Sequence, residues 1–215
     1  MLRSHGGSDD AVVVKVNSSG AALLWSTYLG GSSSDFAYDL ALGKNGQIFL
    51  TGITTSSNLP TMNPLQANLK GNANSFVTKL KADGSALEYS TYLGGIATDG
   101  FFSLALDSAD NAYVTGYTYS NDFPQVDPAQ SYSFAPYYNS YYHVVAAKLN
   151  ATGSALVFAT YLGGTGQEAG YGIAVDARNQ VYLTGFTSSR LLMNFSLLQG
   201  LPMTPLLSSW GSKRM

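Results

Sequence analysis

Three near-copies of one stretch decide how this chain folds: Ser26-Thr27-Tyr28-Leu29-Gly30-Gly31, Ser90-Thr91-Tyr92-Leu93-Gly94-Gly95 and Ala159-Thr160-Tyr161-Leu162-Gly163-Gly164. Twenty-two residues after each Leu stands a Thr-Gly pair, at Thr51, Thr115 and Thr184. A repeat that holds its internal distance is one structural unit copied along the chain. The motif threonines Thr27, Thr91 and Thr160 are 64 and 69 residues apart. The extra five residues fall between Gly116 and Lys148, so that segment reads as a surface loop.

Working outward, each unit resolves into four short strands. The first is Tyr38 to Leu42, Phe102 to Leu106 and Tyr171 to Val175, with large residues at every second place, the period of a strand. A polar turn leads to the second strand, Ile48 to Gly52, Ala112 to Gly116 and Val181 to Gly185. The third carries Val14-Lys15-Val16, Thr78-Lys79-Leu80 and Ala147-Lys148-Leu149. Its turn ends in Gly20, Gly84 or Gly153, where a hairpin needs positive φ. The fourth runs from Leu23 to Leu29, Leu87 to Leu93 and Leu156 to Leu162. In the loop between second and third strands, Pro60 and Pro64 match Pro124 and Pro128, and they are expected to keep that loop out of a ladder.

Four antiparallel strands in tandem, with no helical period, predict an all-β chain of β-propeller blades. A β-solenoid has shorter coils, and a β-sandwich rarely repeats sequence so closely. Blades are expected at about 36–95 and 100–164, with half blades at 11–31 and 170–187, so residues 1–189 form the repeat region. The tail, 190–215, loses the alternation and is expected to be poorly ordered. Joining the two halves would make only three blades, fewer than the roughly four to eight that close a ring. Either the chain is part of a longer propeller, or copies self-associate to complete one.

Composition narrows the function classes. The 215 residues carry 11 Lys and Arg against 13 Asp and Glu, a net charge of -2 with no basic cluster, which argues against nucleic acid. The absence of Cys removes disulfides, zinc-thiolate sites and cysteine nucleophiles. No apolar run reaches the roughly 18 residues of a membrane span. No phosphate loop, dinucleotide fingerprint or nucleophile elbow occurs.

Two sets of residues stand out. Asp35, Asp99 and Glu168 each lie eight residues after the motif Thr, between the Gly-Gly and the first strand. As a ring of carboxylates at the channel rim they would bind Ca²⁺ or a cationic ligand; alternatively each accepts hydrogen bonds in its own turn. Tyr132, Tyr137, Tyr138, Tyr141 and Tyr142 cluster in the variable loop with Phe134 and Pro136. They would stack on sugar rings or anchor a protein partner, or else fold back on their own blade. His143 shares a strand-entry register with Asn74 and Asp10. Lys15, Lys79 and Lys148 share one register and are expected to keep sheet edges solvated.

The Thr-Tyr-Leu-Gly-Gly motif, the Leu106 to Gly116 stretch and Asp122-Phe123-Pro124 resemble the bacterial SBBP ("seven-bladed β-propeller") repeats over roughly residues 9 to 190. The hairpin of first and second strands is also similar to NHL repeats. The resemblance implies a propeller in secreted or envelope-associated proteins and brings no catalytic motif with it. The expected function is a non-enzymatic protein- or glycan-binding or scaffold module. The alternative is a metal-dependent enzyme of the lyase or lactonase kind, with Asp35, Asp99 and Glu168 as ligands.

Overall fold

A computed structural model describes residues 6–130 and 141–189, and they contain twelve strands and no helix. In chain order these are β1 (Ala11–Val16), β2 (Leu23–Leu29), β3 (Asp35–Leu42), β4 (Ile48–Thr54), β5 (Asn74–Leu80), β6 (Leu87–Leu93), β7 (Asp99–Leu106), β8 (Ala112–Thr118), β9 (His143–Leu149), β10 (Leu156–Leu162), β11 (Glu168–Val175) and β12 (Val181–Thr187). They pair only within a repeat. Two four-stranded antiparallel sheets, β3-β4-β5-β6 and β7-β8-β9-β10, are the complete blades; β1-β2 and β11-β12 are separate two-stranded half blades. The predicted tail, 190–215, lies outside the described residues.

The four sheets stack in sequence. β7 packs on β3 and β4 on one side and on β11 on the other, so the first strands of consecutive repeats lie side by side. Between sheets lie two apolar cores. Ala11 and Val13 of the N-terminal half blade meet Ile48, Leu50, Phe76, Leu80 and Tyr92 of the first complete blade. Phe49, Val77, Tyr89 and Leu93 meet Val114, Val145, Ala147, Leu149 and Tyr161 of the second. Burying each Val, Leu, Ile or Phe side chain among them contributes about 1.5–3 kcal/mol.

Backbone demands explain the conserved spacing inside each repeat. The first strand bulges opposite the Thr-Gly pair, between Ala37 and Asp39, Phe101 and Ser103, and Gly170 and Gly172. A Cβ on Gly116 would sit 1.9 Å from the Gly100 carbonyl oxygen, so nothing larger than Gly fits there. The hairpin glycines Gly20, Gly84 and Gly153 take φ of 73°, 66° and 68°, as their turns require.

Two expectations change. The loops holding the paired prolines do touch a ladder: Met62 exchanges both backbone hydrogen bonds with Ser90, and Val126 with Ala159. Prolines at 60 and 64 leave the amide of Met62 free to pair, and the loop covers the outer edge of its own blade. The lysines, too, are not solvated edge residues in the complete blades. Lys79 lies 5.0 Å from the Phe49 ring and 3.1 Å from Glu88; Lys148 lies 4.7 Å from the Tyr113 ring and 3.1 Å from Asp107. Their stems cover the neighbouring strand's aromatic ring.

Candidate functional site

The repeated carboxylates are not between the Gly-Gly and the first strand; each is the first residue of that strand, at a junction between sheets. Asp35, Asp99 and Glu168 are at most 1% exposed. Each backbone amide crosses to the preceding sheet: Asp35 donates to Asp9, Asp99 to Ala73 and Glu168 to Tyr142, at 2.7, 3.1 and 2.9 Å.

Their side chains are satisfied locally. Asp99 accepts from Gly95 N at 2.8 Å, Ser120 Oγ at 3.0 Å, Asn74 Nδ2 at 3.1 Å and Thr118 Oγ1. Asp35 accepts from Gly31 N and Ser56 Oγ, both at 2.7 Å, and from Thr54 Oγ1. Glu168 accepts from Thr187 Oγ1 at 3.2 Å and Ser189 Oγ, and pairs with His143 Nδ1 at 2.9 Å. Burial pushes the Asp99 carboxyl above its ordinary 3.8, and the hydroxyl and amide donors pull the other way. The Thr-x-Ser that supplies the hydroxyls (Thr54 and Ser56, Thr118 and Ser120, Thr187 and Ser189) follows every Thr-Gly and was readable as part of the repeat. The three acids stand at three different junctions. Among the described residues, no group of three or more acids and histidines could hold a metal ion.

Burial holds the His143 imidazole below its ordinary 6.5, while Glu168 opposes that shift. Between the folded value and 6.5 the unfolded chain therefore binds more protons, and stability rises with pH. His143's contribution is thus complete above about pH 6.5 and is lost as pH falls below it. His143→Asn, which copies Asn74 at the matching place, is expected to flatten the stability profile between about pH 5 and 7 in urea titrations. An unchanged slope would assign that dependence elsewhere.

A second constellation is accessible. Tyr38, Phe102 and Tyr171 are the extra residues at the three first-strand bulges. The bulge sets them on one surface: Phe102 is 5.4 Å by ring centroids from both Tyr38 and Tyr171. Tyr117, at the end of β8, packs 5.3 Å from Phe102 and 5.6 Å from Tyr142. Tyr119 stands 5.2 Å from Tyr142, and Phe186 on β12 stacks 5.8 Å from Tyr171. Seven rings thus form one continuous patch, with Tyr38, Tyr119, Tyr171 and Phe186 exposed. Within it, Phe102, Tyr117, Tyr119, Tyr142, Ala169 and Tyr171 line an open pocket of about 280 Å³ with no charged side chain. Burial raises the phenols of Tyr117 and Tyr119, so both stay protonated and can donate hydrogen bonds.

Of the loop tyrosines singled out by sequence, Tyr142 belongs to this patch, and Tyr141, two residues before β9, is exposed. Tyr132, Tyr137 and Tyr138 lie outside the described residues. The aromatic at one register of every first strand was visible as a repeat. Its exposure depends on the bulge, which period-two reading hides.

Residues 24–60 and 88–124 match the family model SBBP, a beta-propeller repeat. Each match runs from the fourth strand of one sheet through the acid, the Thr-Gly and the Thr-x-Ser of the next. These two stretches carry the SBBP beta-propeller repeat. No curated protein matches it. The SBBP repeat as a unit of sequence is thus offset from the blade: it encodes the junction, with Asp35, Thr54 and Ser56 in the first match and Asp99, Thr118 and Ser120 in the second.

Proposed function

We propose that this SBBP chain is a non-enzymatic binding and scaffold module of a secreted or envelope-associated protein, and that its aromatic patch takes a neutral glycan. One observation carries the reading: seven touching rings, four of them exposed, around a pocket whose lining holds no charge. Exposed rings stack on the apolar face of a sugar, and protonated phenols hydrogen-bond its hydroxyls. The family resemblance supports that compartment, and a surface glycan fits it. A metal-dependent lyase or lactonase would need carboxylates open to a substrate. Asp35, Asp99 and Glu168 are buried and committed to hydroxyl and amide donors, which weighs against it.

Affinity electrophoresis in gels containing neutral polysaccharides tests this reading. Retardation is expected for at least one polysaccharide. Replacing both Tyr119 and Tyr171 by Ala is expected to weaken it about tenfold, the loss of two stacking rings, with the melting temperature nearly unchanged because both are exposed. Retardation untouched by the double substitution, or none with any neutral polysaccharide and capture of a protein partner through the same rings instead, would move the reading to a protein ligand.

A further inference from the structure

We infer that the two half blades are matching halves of one interface, and that two copies of this chain join head to tail, β12 of one pairing with β1 of the other. The inference is independent of the glycan reading and rests on the repeat geometry alone.

Three observations carry it. The first is register. In the complete blades the second and third strands pair antiparallel, with Phe49 opposite Lys79 and Tyr113 opposite Lys148. Carried to the half blades, the same register sets Tyr182 opposite Lys15, Leu183 opposite Val14 and Gly185 opposite Val12 of a second copy. Neither β12 nor β1 has a partner on this edge among the described residues.

The second is burial. Val12, Val14 and Val16 are 55%, 51% and 55% exposed, whereas Phe76, Thr78, Leu80, Val145, Ala147 and Leu149 at the same places are all 0%. Tyr182 is 57% exposed, against 0% for Phe49 and 1% for Tyr113. These are apolar side chains shaped for a blade interior and left without its other half.

The third is charge. Lys148 is received by the Tyr113 ring and by Asp107, to which Tyr113 also donates at 3.1 Å. On the C-terminal half blade the receptor is already assembled: Tyr182 donates to Asp176 at 3.3 Å. Among the described residues no lysine pairs with it. On the N-terminal half blade Lys15 is exposed and makes no ion pair among the described residues. Leu24 stands where Glu88 serves Lys79, so the acid available to Lys15 is Asp176 of the second copy. The described residues of two copies, joined at both junctions, supply four complete and two composite blades, six in all, inside the range of roughly four to eight that closes a ring.

Sedimentation equilibrium of the full chain at tens of micromolar is expected to show twice the chain mass. Lys15→Glu at an exposed residue and Asp176→Lys at a half-buried one are each expected to weaken the dimer at least tenfold, since each opposes like charges. The double swap Lys15→Asp with Asp176→Lys should recover most of that loss. Since the native chain has no Cys, a Val14→Cys, Leu183→Cys chain should oxidise to a covalent dimer. A Val13→Cys, Leu183→Cys chain, one residue out of register and on the opposite face, should not. A monomer, as when residues 190–215 cover β12, would overturn the proposal. So would open polymers, or a dimer that oxidises equally in both registers.

Discussion

Asp99→Ala is expected to lower unfolding free energy by about 3–5 kcal/mol, because four donors lose their acceptor in a buried junction. The side chain is 0% exposed, and Gly95 N, Ser120 Oγ, Asn74 Nδ2 and Thr118 Oγ1 all point at it. Asn74 comes from the preceding blade and Ser120 from the loop after β8, so the loss loosens two sheets together. For a chain of this length each kcal/mol moves the midpoint by about 2–4 °C, so calorimetry should record a fall on the order of 10 °C. Asp99→Asn keeps one acceptor oxygen and should cost less. A shift below about 2 °C for Asp99→Ala would mean that the junction is not what holds the blades in register.

The second large effect is expected at the Tyr of the repeated motif. Tyr161 is 0% exposed, meets the Phe123 ring edge-on at 6.1 Å, donates to Ser120 O and accepts from Phe123 N, both at 2.8 Å. Tyr92 does the same for the first complete blade, donating to Ser56 O at 2.6 Å and accepting from Leu59 N at 2.9 Å. The motif therefore conserves a phenol because its hydroxyl ties down the loop that carries the Thr-x-Ser. Tyr161→Ala should cost about 3–5 kcal/mol through cavity and lost bonds together. Tyr161→Phe should cost about 1–3 kcal/mol, the price of the hydroxyl alone. Since Tyr161 and Asp99 share Ser120, their substitutions should not add, and a double-mutant cycle in urea should return a coupling above about 0.5 kcal/mol. Strict additivity would separate the two staples.

The fourth strands of the repeat were legible from residues alone: β2, β6 and β10 begin and end where the Leu-to-Leu spacing sets them. The starts of β3, β7 and β11 were not. Asp35-Phe36-Ala37, Asp99-Gly100-Phe101 and Glu168-Ala169-Gly170 carry acids and glycines, which strands disfavour. Pairing with Thr54, Thr118 and Thr187 overrides that local preference. The register of the acids was plain in sequence, but their burial was not. It depends on hydroxyls about twenty residues downstream, a distance that only the folded hairpin closes. Lys79 and Lys148 misled for a related reason: a charged residue in a strand reads as solvated until an aromatic ring and an acid are found beside it. Six of the seven patch rings, all but Tyr142, were missed as a site because they are gathered from β3, β7, β8, the loop after β8, β11 and β12, where no local pattern announces them.

The central claim is that pairing runs within each repeat, making β4, β5, β8 and β9 the interior strands of two complete blades. Amide hydrogen exchange read strand by strand tests it most directly, on the Lys15→Glu chain so that association at β1 and β12 is removed. Those four strands are predicted to exchange slowest, near the global unfolding limit, with β1 and β12 orders of magnitude faster. Equal protection across all twelve strands, or faster exchange in β4 and β5 than in β1 and β12, would contradict it.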